Sequence, residues 1–238
     1  MSWFPERMAT AGPTEVGEGV VLERRSLLKV SVGALALLSL SWPQQALGHE
    51  PGIDDDGDLS WDALAKAALP LAEKLVKARK PKEEVYLARL SALVHRLKIP
   101  ADDASLQLKR PLVVAQFKIE PGRGFPWHDH RDYNGLLLCV AGEATVRSAD
   151  IVGSDPRPPK GTSFEIRETS SVQLTAGRAA SLTRTRENIH DVRGAGPGGA
   201  RLLDFFTFFD SGARSVSLTV DEVPKDPAKR IFEATWSE

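Results

Sequence analysis

Cysteine is all but missing from this chain: Cys139 is the sole one in 238 residues, so no internal disulfide can form and an oxidising address cannot be argued from cysteine usage. Neither sign of charge is in excess. The 31 Lys and Arg stand against 32 Asp and Glu, which gives no support to nucleic-acid binding, since that usually leaves a basic patch. No apolar run reaches the roughly 20 residues that a helix needs to span a bilayer. Histidine is scarce too, at five, yet three of the five fall in one suggestive pattern.

What is present begins with a leader. Glu23-Arg24-Arg25-Ser26-Leu27-Leu28-Lys29 precedes an apolar run from Val30 to Trp42, and Ala46 and Gly48 stand where an Ala-x-Ala-like cleavage site would be. Residues 1–48 therefore read as a twin-arginine export signal. The expected partner is the twin-arginine export machinery, the expected address is periplasmic, and the mature chain is expected to start near His49 with no stable membrane span. An uncleaved anchor helix is the alternative.

Residues 49–59 read as an acidic linker, and 60–238 as one domain, a length that suits a single sizeable core. Its first part is helical. Ser60 is a suitable N-cap for a helix to about Arg79, interrupted by Pro70. A second helix has Pro81 in its first turn, Glu83 and Glu84 at its positive end, and a stripe of Tyr86, Leu90, Leu93 and Leu97 that must be buried, with Pro100 ending it. From Pro111 the period changes to short strands: 112–119, 135–148, 163–167, 172–175, 181–184, 202–209 and 216–220. Glu120-Pro-Gly-Arg-Gly124, Gly153 to Gly161 and Gly194 to Gly199 separate them. Such spacing predicts a mostly β, jelly-roll barrel with an N-terminal helical hairpin packed outside it. Phe205, Phe206, Phe208 and Phe209 are expected to be core on both faces of a covered strand.

His128 and His130, in Gly-Phe-Pro-Trp-His-Asp-His, lie two apart, so on a strand their imidazoles share a face and can reach one metal ion. Asp129 points the other way, toward solvent or turn structure. His190, in Glu-Asn-Ile-His-Asp-Val, is the candidate third ligand. His95 reads as a solvated helix residue, His49 as a weak ligand, and Cys139 as an interior thiol.

The pattern resembles the first motif of cupins, in which His-x-His is followed by a glutamate three or four residues on and a glycine seven beyond that. Here Gly142 is the closing glycine, and counting back seven reaches Gly135, with Asn134 beside it, so no carboxylate fills the fourth position. Three neutral imidazoles leave the charge of a divalent ion uncompensated and three coordination positions open. Such a centre favours an anionic ligand, and a thiolate suits Fe(II).

More closely, the run from Phe125 through Gly142 to Ser148, the Asn188-Ile189-His190 segment and Leu202-Leu203-Asp204 are similar to segments of the thiol dioxygenases of the plant cysteine oxidase and cysteamine dioxygenase family. The likeness covers roughly residues 60 to 210. It implies a cupin fold with one mononuclear Fe(II) on His128, His130 and His190, and an oxidoreductase that places both atoms of dioxygen on a thiol to give a sulfinic acid. The substrate would be a small aminothiol or a Cys-initiated peptide. By the same likeness Asp204 would sit near the substrate's amine, and Tyr133 offers a hydroxyl near the site. The family's Pro-Pro-Tyr is replaced by Phe208-Phe209-Asp210. Two other readings stay open: a non-catalytic periplasmic cupin that binds a metal or ligand, and a cupin enzyme of another class using Mn, Ni or Zn.

Overall fold

The computed structural model describes residues 58–99 and 108–237. The leader expected over 1–48, His49, most of the linker and Pro100 lie outside them.

Helix α1 runs Trp61–Lys77 and α2 runs Glu83–Val94. Ser60 caps α1 as expected, its hydroxyl accepting the Ala63 amide at 3.2 Å. Pro70 does not interrupt the helix. It sits at an exposed position, where water takes up the carbonyl that a proline cannot bond. The second helix is shorter than its sequence pattern suggests. After Val94 the chain turns back so that Leu97 bridges Leu59, with Leu59 N donating to Arg96 O (2.6 Å) and Lys98 N to Leu59 O (2.9 Å). Both helices bury one stripe: Leu64, Ala68, Ala72 and Leu75 on α1, and Tyr86, Leu87, Leu90, Leu93 and Val94 on α2.

Among the described residues eight antiparallel strands follow: β1 Leu112–Ile119, β2 Gly124–Asp129, β3 Tyr133–Ile151, β4 Phe164–Thr175, β5 Ala179–Leu182, β6 Ile189–Phe208, β7 Leu218–Val220 and β8 Ile231–Trp236. β3 and β6 are long because each runs through both halves of the barrel. In one half, β5, the start of β3, the end of β6 and β1 lie side by side. In the other, β2, the start of β6, the end of β3, β4, β8 and β7 do so, and β7 returns to touch β2 at the His128–Ser217 bridge.

The bend between the halves falls where pairing jumps from Gly142↔Ala200 to Glu143↔Ala195. There Gly142 and Gly199 both have positive φ, and a side chain at either would collide with the carbonyl of Gly199 or Ile119 respectively. Gly194–Gly199, expected as a break between strands, is thus a bulge inside β6. Residues 163–167 and 172–175, expected as two strands, merge into β4. The strand β8 was not expected at all.

Three apolar clusters result. One lies between the helices and the sheet, built on Leu90, Leu112, Leu136, Leu203 and Phe205. A second fills the barrel with Leu137, Cys139, Val146, Val192 and Leu202. The third, with Trp127, Ile166, Ile189, Phe232 and Trp236, occupies the face of β2 and β6 turned away from the histidines. This is a mostly β, cupin-type barrel with an N-terminal helical hairpin.

Candidate metal centre

β2 and β6 pair in the register His128↔His190, so the two side chains meet across the ladder, and their Nε2 atoms lie 2.7 Å apart. His130 stands one residue beyond the end of β2 and extends the pairing, its amide donating to Asn188 O at 2.7 Å. The three rings have centroids 4.3 to 5.1 Å apart, and one nitrogen of each lies within 4.8 Å of the others. Among the described residues no carboxylate or thiol joins that group.

Tautomer and charge suit a metal. His128 Nδ1 donates to Pro126 O at 2.8 Å, which leaves Nε2 with its lone pair turned toward His190. At that separation His190 Nε2 either donates its N–H to His128 Nε2 or, as the other tautomer, shares with it an ion about 2.0–2.1 Å from each. Burial holds all three imidazoles below their usual pKa, and His130 and His190 well below it, each also depressed by its ring neighbours. The rings are therefore neutral at pH 7, the form that ligates. His130 Nδ1 is buried without a hydrogen-bond partner.

Where a carboxylate ligand would project from β3, Gly135 presents bare backbone: a Cβ there would meet the His130 ring at 3.1 Å. Asn134, beside it, faces away and accepts the Arg184 amide at 3.2 Å. Gly135, His190, Ser148, Leu137, Leu182 and Asp204 line a tight cleft of about 10 Å3, room for about one water.

Asp204, expected near a substrate amine, lies on that cleft wall, fully buried, with Oδ1 lacking any partner. Burial alone pushes its carboxyl up to about 7. Tyr133 packs its ring 4.2 Å from His130. Burial raises its pKa, so it remains a phenol. Asp129 does turn its back on the histidines, but not toward solvent. It is buried, paired with Arg131, and its Oδ1 accepts the Val216 amide at 2.8 Å, tying the approach to β7 against β2. Cys139 is buried in the barrel interior as expected, and His95 is exposed.

Sequence reasoning missed the aromatic wall. Phe205 is core, but Phe206 and Phe208 are only partly buried and gather with Tyr133, 5.6 and 5.0 Å away, on the His130 side. The signal was available in parity: Phe206 and Phe208 lie two and four residues from Asp204 and so share its face.

No protein-family model matches the chain, and no curated protein matches it. Solved structures overlap it in part. A recombinant oxalate oxidase in complex with glycolate is 18% identical over 45% of this chain and 46% of its own, with a TM-score of 0.33. An uncharacterized conserved protein with a double-stranded β-helix domain from Klebsiella pneumoniae is 16% identical over 44% and 71%, at 0.31. A mutant oxalate decarboxylase of Bacillus subtilis is 20% identical over 44% and 23%, at 0.32. The chain thus spans less than half the length of the oxalate oxidase it matches, and the fold assignment stands on the strand pairing above.

Proposed function

We propose that this protein is an Fe(II)- and O2-dependent thiol dioxygenase that converts a small aminothiol to its sulfinic acid. One observation carries the reading: three neutral histidines converge while the fourth interior position, Gly135, offers no carboxylate. Such a donor set leaves the ion's charge to be balanced by an incoming anion, and a thiolate is the soft anion that suits Fe(II).

His128, His130 and His190 would hold the iron, which when bound supplies the redox chemistry and brings thiolate and dioxygen together. The balance is simple: thiol plus O2 gives sulfinic acid, with both oxygens on sulfur and no further reductant. The protein's own groups bind and orient. Asp204, a carboxylic acid near neutral pH with an unpartnered oxygen, gives up its proton when an ammonium enters the cleft and then pairs with it. Leu137 and Leu182 keep water from that pair. Tyr133 and Phe206 wall the His130 side with rings. We also propose export by the twin-arginine route, on the strength of the leader motif.

An oxygen electrode tests this on anaerobically iron-loaded protein given cysteamine, cysteine or a Cys-initiated peptide. Oxygen consumption with at least one of these thiols, one O2 per sulfinate formed, is the expected result. Tightly held zinc and no uptake with any thiol would instead favour a non-catalytic binding protein.

A further inference from the structure

The loop that delivers His190 to the centre is pinned to the helical hairpin by contacts that packing does not require. Between β5 and β6 the chain runs from Thr183 to Asn188. Glu83, the first residue of α2, accepts Arg184 Nε at 2.9 Å and Nη2 at 2.5 Å on Oε1, and the Arg184 amide at 3.1 Å on Oε2. Buried Asn134 accepts the same amide, and the guanidinium lies 3.6 Å over the Phe209 ring. From Arg184 the contacts lead inward. Its carbonyl accepts Asn188 Nδ2 at 3.1 Å, and the Asn188 carbonyl accepts the His130 amide at 2.7 Å, two residues before His190. The far end is fixed as well: Glu187 has φ of 54° and donates its amide to Asp150 Oδ1 at 2.5 Å.

An ion pair as withdrawn as Glu83–Arg184, 11% and 27% exposed, adds little net stability, since desolvation offsets much of its attraction. What it does supply is geometry, because three bonds from one carboxylate fix both the backbone and the side chain of Arg184. Resting on the metal reading above, we infer that Glu83 is a positioning residue for the centre: through Arg184 and Asn188 it sets where His130 and His190 stand. The hairpin is then part of the metal site's scaffold. A built-in contrast is Glu84–Arg186, 3.1 Å apart but 59% and 41% exposed, which holds the same loop only at its wet rim.

Titration of the full chain with Co(II), followed by its visible absorption bands, tests this without turnover. Glu83→Ala, two residues removed from the ligands, is expected to weaken Co(II) binding by up to about 10-fold, the low end of the range for partners that touch a ligand, and to shift the bands. Glu83→Gln, keeping one acceptor oxygen, should fall between Glu83→Ala and the wild type, and Glu84→Ala should match the wild type. Circular dichroism checks that each variant folds; where Glu83→Ala does not, Glu83→Gln carries the test. Wild-type affinity and bands in the folded Glu83 variants would overturn the inference. A wild-type chain that takes up no Co(II) would instead overturn the metal reading beneath it.

Discussion

Two buried carboxylates, one in each half of the barrel, are treated in opposite ways. Glu168, on β4, is 5% exposed and gripped by two guanidiniums: Arg147, which bonds both its oxygens, and Arg230. Arg147 in turn lies over the Trp127 ring, so its charge is engaged twice. Asp204, on β6 and 6% exposed, has no cation beside it among the described residues, and its Oδ1 bonds none of them. A buried charge without a partner is costly, so folds supply one wherever the role is only architectural. Glu168 fits that description. Asp204 does not, and it stands on the wall of the cleft that His190 also lines. The difference teaches where the molecule is complete and where it awaits something from outside.

The comparison is sharpened most by Asp204→Asn. With its pKa raised from 3.8 to about 7, Asp204 binds a proton in the folded state that it has already lost when unfolded. Its stabilising contribution is whole below pH 4 and is lost as pH rises through 7, a slope of order 4 kcal/mol in total at about 1.4 kcal/mol per pKa unit. In metal-free protein, the wild-type minus Asp204→Asn difference in denaturant melts from pH 4 to 8 should show that slope, because the three depressed histidines add an opposite trend common to both. The same change should raise the KM for an aminothiol. An unchanged pH profile would mean that Asp204 has a partner after all.

Glu168→Gln should have a smaller and different effect. It leaves Arg147 and Arg230 facing a neutral amide, at a cost of about 1–3 kcal/mol read from urea melts, since both arginines reach water. Metal content and oxygen uptake should not move. A loss of activity in the folded variant would break the contrast between the two carboxylates.

Much of this was legible in the sequence because strands alternate. The separation of His128 and His130 by one residue, and the vacancy opposite them, follow from parity and spacing alone, and the structure puts Gly135 at that vacancy with Asn134 turned away. Parity also gave the direction of Asp129 correctly, yet not its burial, because that depends on β7 rolling back onto β2, a contact between segments almost 90 residues apart. The strand β8 went unread although Phe232, Ala234 and Trp236 alternate as a half-buried strand should, because the run is six residues long and follows a charged turn. Helix α2 ended early for a tertiary reason, the bridge to Leu59, that no local propensity encodes.

The central claim is that three imidazoles and no protein carboxylate hold one ion. Metal analysis of anaerobically iron-loaded wild type beside His190→Ala tests it most directly. The account predicts one iron per chain in the wild type and, in the variant, a loss of affinity of more than about 100-fold, beyond what an outer partner's loss produces. Full retention of iron by folded His190→Ala would contradict it.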